Sequence, residues 1–446
     1  MREAIKVAAV VMLMGVLGAC GGGGSGTDEP HGTGSTAKKP STDATELRLA
    51  VPSAFDGVKG WSQPASSNAH VAVAPTAAVV VTVSKASDGY LLTARDLGTG
   101  SVRWSTKPWW PFDSVRDELP DPEIVTAGGK DYVAVSISGN PGDDALTNGE
   151  PTIRIAVYPA DAKGNTVTPV RTIDIPAQES SALPSAQGAL LAYFGDHQAI
   201  TAVDVATGKV KSYTTDDVGK TPDAKECRLC GPGNSSVGVT SRGPLIQGGG
   251  NDFWVPGAWY SPSNTPQGAQ APGGYGEMSE TVTVIDDRII AGWPAKGKAG
   301  SDSDTRMWAV HDVSTGQVKA STTCAPGDSS GGSNPEEIGP VFSADHRYLV
   351  YGVLAFDLTT GKGRCMDATA TDKGIVFASV DNDGTAYGHT VVAEGAASTP
   401  VDVAIDSGTI TVLPSGTEIP TMILENEAVY MSEDNSRYSV AVYPRR

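Results

Sequence analysis

The sequence predicts an all-β fold, a β-propeller in which short sheets are arranged as a ring. The first observation is an Asp-x-x-Thr-Gly segment whose successive copies begin 108, 108 and 45 residues apart. A period of about 40–50 residues is typical of propeller blades, and 108 residues are close to two blades with insertions. The second observation is that short β-branched runs alternate with turns around these copies. The copies are Asp96–Gly100, Asp204–Gly208, Asp312–Gly316 and Asp357–Gly361, with a degenerate Asp406-Ser-Gly-Thr after them.

The chemistry of this segment explains why it predicts a hairpin corner. An Asp side chain can accept hydrogen bonds from backbone N–H groups just after it, and Gly adopts positive φ without steric cost. Around the first copy, residues 78–83 and 90–94 are strand-like runs, and residues 101–105 carry Val102 and Trp104 on one face. Three short antiparallel strands of this kind make most of one blade.

The residues around the first corner resemble a known repeat. Ala94, Asp96, Gly100 and Trp104 match the pattern Ala-x-Asp-x-x-x-Gly-Lys-x-x-Trp, with Ser101 in place of Lys. This resembles the tryptophan-docking repeat of quinoprotein-like (PQQ-type) β-propellers, and the resemblance implies that Trp104 stacks against the neighbouring blade. In the other copies the tryptophan position is held by Ser212 or Cys365, and the third copy keeps only Asp312 and Gly316.

The strand pattern predicts seven blades, or eight if residues 237–260 form a blade of their own. The seven-blade division joins residues 235–322 in one disrupted blade. A closed ring leaves no exposed sheet edge between its ends. We therefore expect the first ordered strand, within residues 46–61, to pair in the same blade as the last strands, at 427–432 and 437–443.

The N-terminal segment predicts an exported lipoprotein. Residues 1–19 form a short basic start and an apolar run too short to span a bilayer, which is typical of a signal peptide. The ending Leu17-Gly18-Ala19-Cys20 resembles a bacterial lipobox, which implies lipid attachment at Cys20 and a position on the outer face of the cell membrane. An ordinary signal peptide with an incidental Cys is the alternative. Residues 20–45 contain almost no apolar residue and are predicted to be a disordered tether, and residues 46–446 are predicted to be the propeller domain.

Charge and composition restrict the partners. The formal net charge is −18, which disfavours binding to a phosphate backbone, so we expect no nucleic-acid partner. We expect a monomer that is attached to the membrane through its lipid.

Four cysteines remain after Cys20, an even number that suits disulfides in an exported chain. Three pairings are possible. We favour Cys227 with Cys230, and Cys324 with Cys365, because the latter two follow corners of adjacent repeats. Zinc binding or redox chemistry at Cys227 and Cys230 is disfavoured, since neither a second CxxC nor a βαβ context accompanies this pair.

Other segments that could carry chemistry have simpler explanations. Gly327–Gly331 matches Gly-x-Ser-x-Gly but lies in a Pro/Gly/Ser loop rather than between a strand and a helix. Asp381–Gly384 begins like a calcium loop, yet Val392 stands where the bidentate Glu would be, which favours a hairpin turn. The six His residues lack the spacing of a metal site or triad. We expect no resident metal or cofactor.

Aromatic loops are the better candidates for binding. Trp109 and Trp110 follow a predicted outer strand, and Trp254 and Trp259 lie in the stretch that opens a long Pro/Gly/Ser-rich insertion at residues 256–276. Aromatic side chains at the rim of a propeller can stack on sugars or pack against proteins. Alternatively, they fill the central channel or cover blade edges.

The sequence therefore favours a non-catalytic binding or scaffold module for an envelope protein or saccharide. The alternative is a propeller enzyme, a quinoprotein-type dehydrogenase or a hydrolase. Quinoprotein enzymes of this resemblance carry an adjacent Cys-Cys pair over the cofactor, and this chain has none.

Overall fold

A computed structural model describes most of the chain from residue 48 onward. The described ranges are 48–64, 70–87, 89–112, 119–142, 149–177, 183–186, 188–194, 197, 199–220, 234–248, 252–270, 283–297, 305–325, 339–368, 373–391, 397–434 and 437–446. They belong to one compact unit, residues 44–446. Nearly all of their regular structure is β, which confirms the predicted fold class.

The strands form four-stranded antiparallel units that we number as sheets 1 to 8. The first strand, β1 (Trp61–Pro64), belongs to sheet 8. Sheet 1 contains β2 (His70–Ala74), β3 (Val79–Ala86), β4 (Gly89–Asp96) and β5 (Val102–Thr106). Sheet 2 contains β6 (Pro122–Ala127), β7 (Lys130–Gly139), β8 (Thr152–Pro159) and β10 (Arg171–Pro176), while β9 (Gly164–Val167) pairs in parallel with β5. Sheet 3 contains β11 (Ser185–Ala186), β12 (Ala189–Phe194), β13 (Ala199–Asp204) and β14 (Val210–Tyr213).

Sheet 4 follows the short helix α1 (Thr215–Val218) and ends beside a 3₁₀ turn (Ser261–Asn264). It contains β15 (Ser235–Thr240), β16 (Gly243–Gln247), β17 (Phe253–Val255) and β18 (Trp259–Tyr260). Sheet 5 contains β19 (Thr283–Ile285), β20 (Arg288–Pro294), β21 (Arg306–Asp312) and β22 (Val318–Cys324). Sheet 6 contains β23 (Val341–Phe342), β24 (Tyr348–Tyr351), β25 (Leu354–Asp357) and β26 (Lys362–Cys365).

Sheet 7 contains β27 (Ile375–Val380), β28 (Thr385–Thr390), β29 (Pro400–Ala404) and β30 (Thr409–Val412). Sheet 8 combines β31 (Met422–Ile423), β32 (Glu427–Asp434) and β33 (Arg437–Pro444) with β1. The described residues thus form eight four-stranded units, which is the alternative count rather than the favoured seven. The seven-blade division was wrong because residues 235–260 complete a meander of their own instead of sharing a blade with residues 283–324.

The first strand pairs with the last one. β1 runs antiparallel to β33, with Trp61 opposite Val442 and Pro64 opposite Ser439. Phe55 forms an isolated bridge with Arg445, and the Asp56 N–H donates to the Pro444 carbonyl at 2.9 Å. This is the pairing that the sequence predicts for the two ends of the folded region.

Apolar clusters join each sheet to the next. One cluster packs Trp104 of sheet 1 against Val133 and Tyr158 of sheet 2. Equivalent clusters follow around the chain, and the last of them packs Val442 of sheet 8 against Val80 of sheet 1. The core is therefore divided among the interfaces between successive sheets, and these interfaces return to the starting sheet.

The Asp-to-Gly corners connect the third and fourth strands of their sheets. In the first corner, the Asp96 carboxylate accepts hydrogen bonds from the backbone N–H and the hydroxyl of Thr99, both at 2.9 Å. The Gly100 N–H donates to the Asp96 carbonyl at 2.8 Å, and Gly100 has a φ of 68°. A residue with a Cβ rarely adopts this conformation, which explains the Gly.

The degenerate copy is displaced by two residues from the sequence assignment. The corner of sheet 7 runs from Ala404 to Gly408, whose N–H donates to the Ala404 carbonyl at 2.7 Å. Asp406 lies in the middle of this corner instead of at its start. Ala404 has no carboxylate to accept the turn N–H groups, so this corner is held by backbone hydrogen bonds and by contacts from sheet 6.

A disulfide joins Cys324 of β22 to Cys365 of β26, the pairing favoured by the sequence. These are the outer strands of sheets 5 and 6, and they also meet in a parallel bridge between Ser321 and Lys362. Cys20, Cys227, Cys230 and the segment 327–331 lie outside the described residues. In the described part of the chain, no helix is long and apolar enough to cross a membrane.

Candidate functional site

An exposed tryptophan lies on the segment that follows sheet 1. The Trp110 side chain is 41% exposed, and its ring makes an edge contact with the buried ring of Tyr90 at a centroid distance of 4.9 Å. Trp109 is half-buried. We call Tyr90, Trp109 and Trp110 the aromatic platform.

The backbone fixes the position of this platform. Tyr90 and Trp109 exchange two backbone hydrogen bonds of 3.0 Å. The approach is close enough that a Cβ on Gly89 would lie 2.7 Å from the Trp109 backbone, so this position requires Gly. The segment is thus attached to β4 like a short extra strand, which holds the Trp110 ring in place.

A cation anchors the far end of the segment on sheet 2. The Arg154 guanidinium lies 4.6 Å from the centre of the Phe112 ring and donates to the Pro111 carbonyl at 2.7 Å. It also makes a bidentate pair with Asp174, with distances of 2.8 and 2.7 Å. These hydrogen bonds lower the pKa of Asp174 and raise that of Arg154. The aromatic platform is therefore held between two sheets.

The other two tryptophans proposed for binding are buried. The Trp254 side chain is fully buried, and its indole N–H donates to the Lys220 carbonyl at 3.1 Å. Trp259 is 8% exposed and donates to the Val313 carbonyl of sheet 5 at 2.9 Å. Both side chains therefore stabilise contacts inside the protein, and Trp110 is the member of the predicted set that offers a ring to solvent.

Trp104 docks on the neighbouring sheet. It is fully buried, its indole N–H donates to the Ala160 carbonyl of sheet 2 at 2.9 Å, and its ring stacks on Tyr158 at 6.1 Å. Two further tryptophans make the same contact. Trp61 of β1 donates to the Leu97 carbonyl of sheet 1 at 2.6 Å, and Trp259 makes the contact with Val313 described above.

Sequence alignment of the corners places Cys365 in the tryptophan position of sheet 6, but the structure places Arg364 there. The Arg364 guanidinium donates to the Ile405 carbonyl of sheet 7, the atom that corresponds to the Leu97 and Val313 carbonyls. In sheet 1 a bulge follows Ala94, whereas β25 and β26 pair without one, so the position shifts by one residue. Trp61 and Arg364 were missed because neither stands at the repeat spacing.

His311 is completely buried within the core of sheets 4 and 5. The Trp293 indole N–H donates to its Nε2 at 3.2 Å, and its Nδ1 lies 2.9 Å from the Gly316 carbonyl. Because a carbonyl only accepts, Nδ1 carries the proton and the imidazole is neutral. Burial lowers the pKa of His311 to about 4. This geometry assigns His311 a structural role in the corner.

Replacing His311 with Asn is expected to remove part of the acid sensitivity of the fold. An unfolded imidazole titrates near pH 6.5, so between pH 6.5 and 4 the unfolded chain binds one more proton than the folded chain. The free energy of unfolding therefore falls by ~3 kcal/mol as the pH falls through this window, and is unaffected by His311 above it.

The measurement is urea unfolding at several pH values for the wild type and His311→Asn. Asp252 acts in the opposite direction, because burial raises its pKa to about 6, so the difference between the two proteins is the quantity to compare. A difference that does not change between pH 7 and pH 4 would contradict the neutral buried imidazole.

The described residues contain no metal site, and the calcium-like segment Asp381–Gly384 is a hairpin turn. In the described ranges, no group of three or more His, Cys, Asp or Glu side chains could hold a metal. Asp381–Gly384 is the turn between β27 and β28, with the Gly384 N–H donating to the Asp381 carbonyl at 3.0 Å. The Asp381 carboxylate pairs with Arg445 at 2.5 Å, which ties this turn to the end of β33.

Comparison with known proteins finds structural neighbours but no matching family and no matching curated protein. No family model matches the chain, and no curated protein does. Dipeptidyl peptidase 4 of Porphyromonas gingivalis is similar over 85% of this chain and 58% of its own, with 10% identity and a TM-score of 0.43. The Dos1 propeller is similar over 86% of this chain and 95% of its own, with 10% identity and a TM-score of 0.42.

The propeller domain of the trilobed protease of Pyrococcus furiosus is similar over 84% of this chain and 95% of its own, with 11% identity and a TM-score of 0.37. This chain thus spans less than two thirds of the peptidase. At such identities and scores the neighbours carry no argument about activity, and the strand topology described above is what identifies this chain as an all-β propeller.

Proposed function

We propose that this chain is a lipid-anchored lipoprotein on the outer face of the cell membrane, and that its propeller is a non-catalytic module that binds an envelope protein or saccharide. Leu17–Cys20 supplies the lipid attachment site, and residues 20–45 are the tether. The propeller presents the aromatic platform to the partner.

The observation that carries the binding proposal is the exposed, fixed ring of Trp110. A large apolar ring in water contributes little to folding, but it supplies contact area to a partner at low entropic cost when its position is already fixed. Tyr90 contacts this ring, and the Tyr90–Trp109 backbone pair and Arg154 hold the segment that carries it. Tryptophan side chains of this kind are enriched among residues that dominate binding energy.

Cys20→Ser is expected to release the protein from the membrane. Lipid attachment requires the Cys thiol, and the tether contributes no apolar anchor of its own. Fractionation of cells into membrane and medium, followed by immunoblotting, measures the effect. Retention of the Cys20→Ser protein in the membrane fraction would overturn the anchor, while leaving the platform to be tested separately.

Trp110→Ala is expected to weaken partner binding about thirtyfold, the loss that corresponds to ~2 kcal/mol for a central aromatic contact. Val102→Ala is the matched control, because Val102 is an exposed apolar residue of the same sheet, with 50% exposure. Binding of the soluble Cys20→Ser protein to isolated cell-wall material, and photo-crosslinking from position 110 on intact cells, measure saccharide and protein partners respectively. Equal binding by both variants in both assays would contradict the platform as the binding site.

A further inference from the structure

The outer strand of sheet 7, β30, has an edge that the described chain leaves open. It is the last strand of its sheet, and no described strand pairs with its other side. Its residues Thr409, Ile410, Thr411 and Val412 are all exposed, and the exposed fraction is 49% for Ile410 and 67% for Val412. None of them is charged. A β-branched, uncharged edge of this kind is a template for pairing with another strand.

The outer strands of the other seven sheets are protected against such pairing. The chain covers three of them itself, since β9 pairs with β5 and β22 pairs with β26. Of the remaining four, β10 carries Arg171 and Asp174, β14 carries Lys211, β1 ends at Pro64, and β18 has only two residues. Charge, proline and short length are the means by which natural proteins prevent edge pairing. β30 has none of them.

The register of sheet 7 shows which backbone groups of β30 are available. The Leu413 N–H donates to the Pro400 carbonyl at 3.0 Å, so these two residues form a hydrogen-bonded pair of β30 and the neighbouring strand β29. Hydrogen-bonded pairs alternate along an antiparallel ladder, so Thr411 also bonds to β29. The backbone N–H and C=O groups of Ile410 and Val412 therefore point away from the sheet, toward the open edge.

An identical strand fits these groups in one register. When two copies of β30 run antiparallel, Ile410 of each copy lies opposite Val412 of the other, and the two Thr411 residues face each other. Each Ile410–Val412 pair exchanges two backbone hydrogen bonds, which gives four in all. A shift by two residues in either direction is worse. It requires Pro414, which has no N–H, or Gly408, whose N–H already donates within its corner.

Charge and packing favour a second copy as the occupant of this edge. Two chains of net charge −18 repel each other, so they approach best where charge is absent. The segment 404–417 carries one charged residue, Asp406. Pairing also places the Ile410 and Val412 side chains of both copies on one face as a shared apolar patch, and it brings the two Thr411 side chains together on the other.

We infer that two copies of this protein pair through β30 in an antiparallel, two-fold symmetric contact, in place of the monomer expected from the sequence. An antiparallel pair of identical strands satisfies two-fold symmetry directly. Sheet 7 of each copy then contributes to one continuous eight-stranded sheet, as sheets 5 and 6 do within a single copy. The contact is small beside the roughly 1,200–2,000 Å² of stable complexes, so the dimer is weak and reversible.

Oxidative crosslinking of Thr411→Cys tests this pairing. The Cα atoms of a non-hydrogen-bonded antiparallel pair lie about 4.5 Å apart, which a disulfide can span. Ile410→Cys is the matched control on the same strand, because position 410 of the second copy is displaced by two residues. Both variants are made in the full chain with Cys20→Ser, so that this cysteine does not crosslink. The Thr411→Cys dimer is expected to form at least about tenfold faster, since pairing raises the effective concentration of the two thiols.

Non-reducing gels measure both rates, and mass spectrometry locates the crosslinked peptide. Equal rates in Thr411→Cys and Ile410→Cys, or a crosslink that does not join residue 411 to residue 411, would overturn the proposed pairing.

Sedimentation velocity of the chain without an added cysteine measures the reversible dimer. The weight-average sedimentation coefficient is expected to rise between micromolar and millimolar protein. Val412→Lys, at an exposed position, is expected to abolish this rise, because a charge on an edge strand opposes pairing. Val210→Lys, at an exposed position of β14, is the matched control and is expected to behave like the wild type. A constant coefficient in the wild type, or a rise that Val412→Lys preserves, would contradict pairing through β30.

Discussion

A chain that begins at residue 65 is expected to lose the cooperative thermal unfolding of the propeller. The deletion removes β1, leaving β33 without its outer partner, and it removes Phe55, which is fully buried between Tyr387 and Tyr430. Loss of a buried Phe or Trp typically costs about 3–5 kcal/mol, and whole domains are stable by about 5–15 kcal/mol. Removing Phe55, Trp61 and the β1–β33 pairing is therefore expected to remove most of the free energy of unfolding.

Differential scanning calorimetry measures this effect, and a chain lacking only residues 21–43 is the control. Those residues precede the compact unit that begins at Ala44, so their deletion is expected to leave the melting temperature within about 2 °C of the wild type. A cooperative transition of normal enthalpy in the shorter chain would show that β1 is dispensable. That outcome would contradict closure through the two ends of the folded region.

Trp104→Ala is expected to lower the free energy of unfolding by about 3–5 kcal/mol. The indole is fully buried between sheets 1 and 2, so the substitution leaves a cavity, and it leaves the Ala160 carbonyl without its donor. The unpaired buried carbonyl, which typically costs about 1–3 kcal/mol, is part of this loss.

Trp110→Ala is the matched control for this prediction, because the same residue type is removed from an exposed position. It is expected to change the free energy of unfolding by less than about 1 kcal/mol. Urea unfolding followed by circular dichroism measures both variants. Similar losses in the two variants would contradict the assignment of Trp104 to docking and of Trp110 to the surface.

The sequence predicted the fold class because the corner chemistry is local. Asp96 and Gly100 interact within five residues, and the strands beside them alternate in polarity, so both can be recognised without knowing what they pack against. The pairing of the ends followed from a general property of rings, since an unpaired edge in a closed arrangement is unfavourable. The strand topology confirms the all-β propeller, with β1 beside β33.

Features that depend on contacts between sheets were harder to predict from the sequence. Sheet 4 has no Asp-to-Gly corner, so residues 235–260 gave no repeat signal and were merged with the next sheet. Arg364 rather than Cys365 docks on sheet 7 because one bulge is absent, and a shift of one residue leaves no trace in a spacing pattern. Trp254 and Trp259 resembled surface residues because Pro and Gly surround them, whereas burial depends on neighbours that lie far along the chain.

The pairing of β1 with β33 also constrains the order of folding. Trp61 is paired with Val442, which is synthesised 381 residues after it (442 − 61). The ring cannot close before β33 has been synthesised, and each shorter intermediate carries an edge strand that can pair with other chains. Closure of the ring therefore waits for β33, and the unpaired edge stays exposed until that strand has been synthesised.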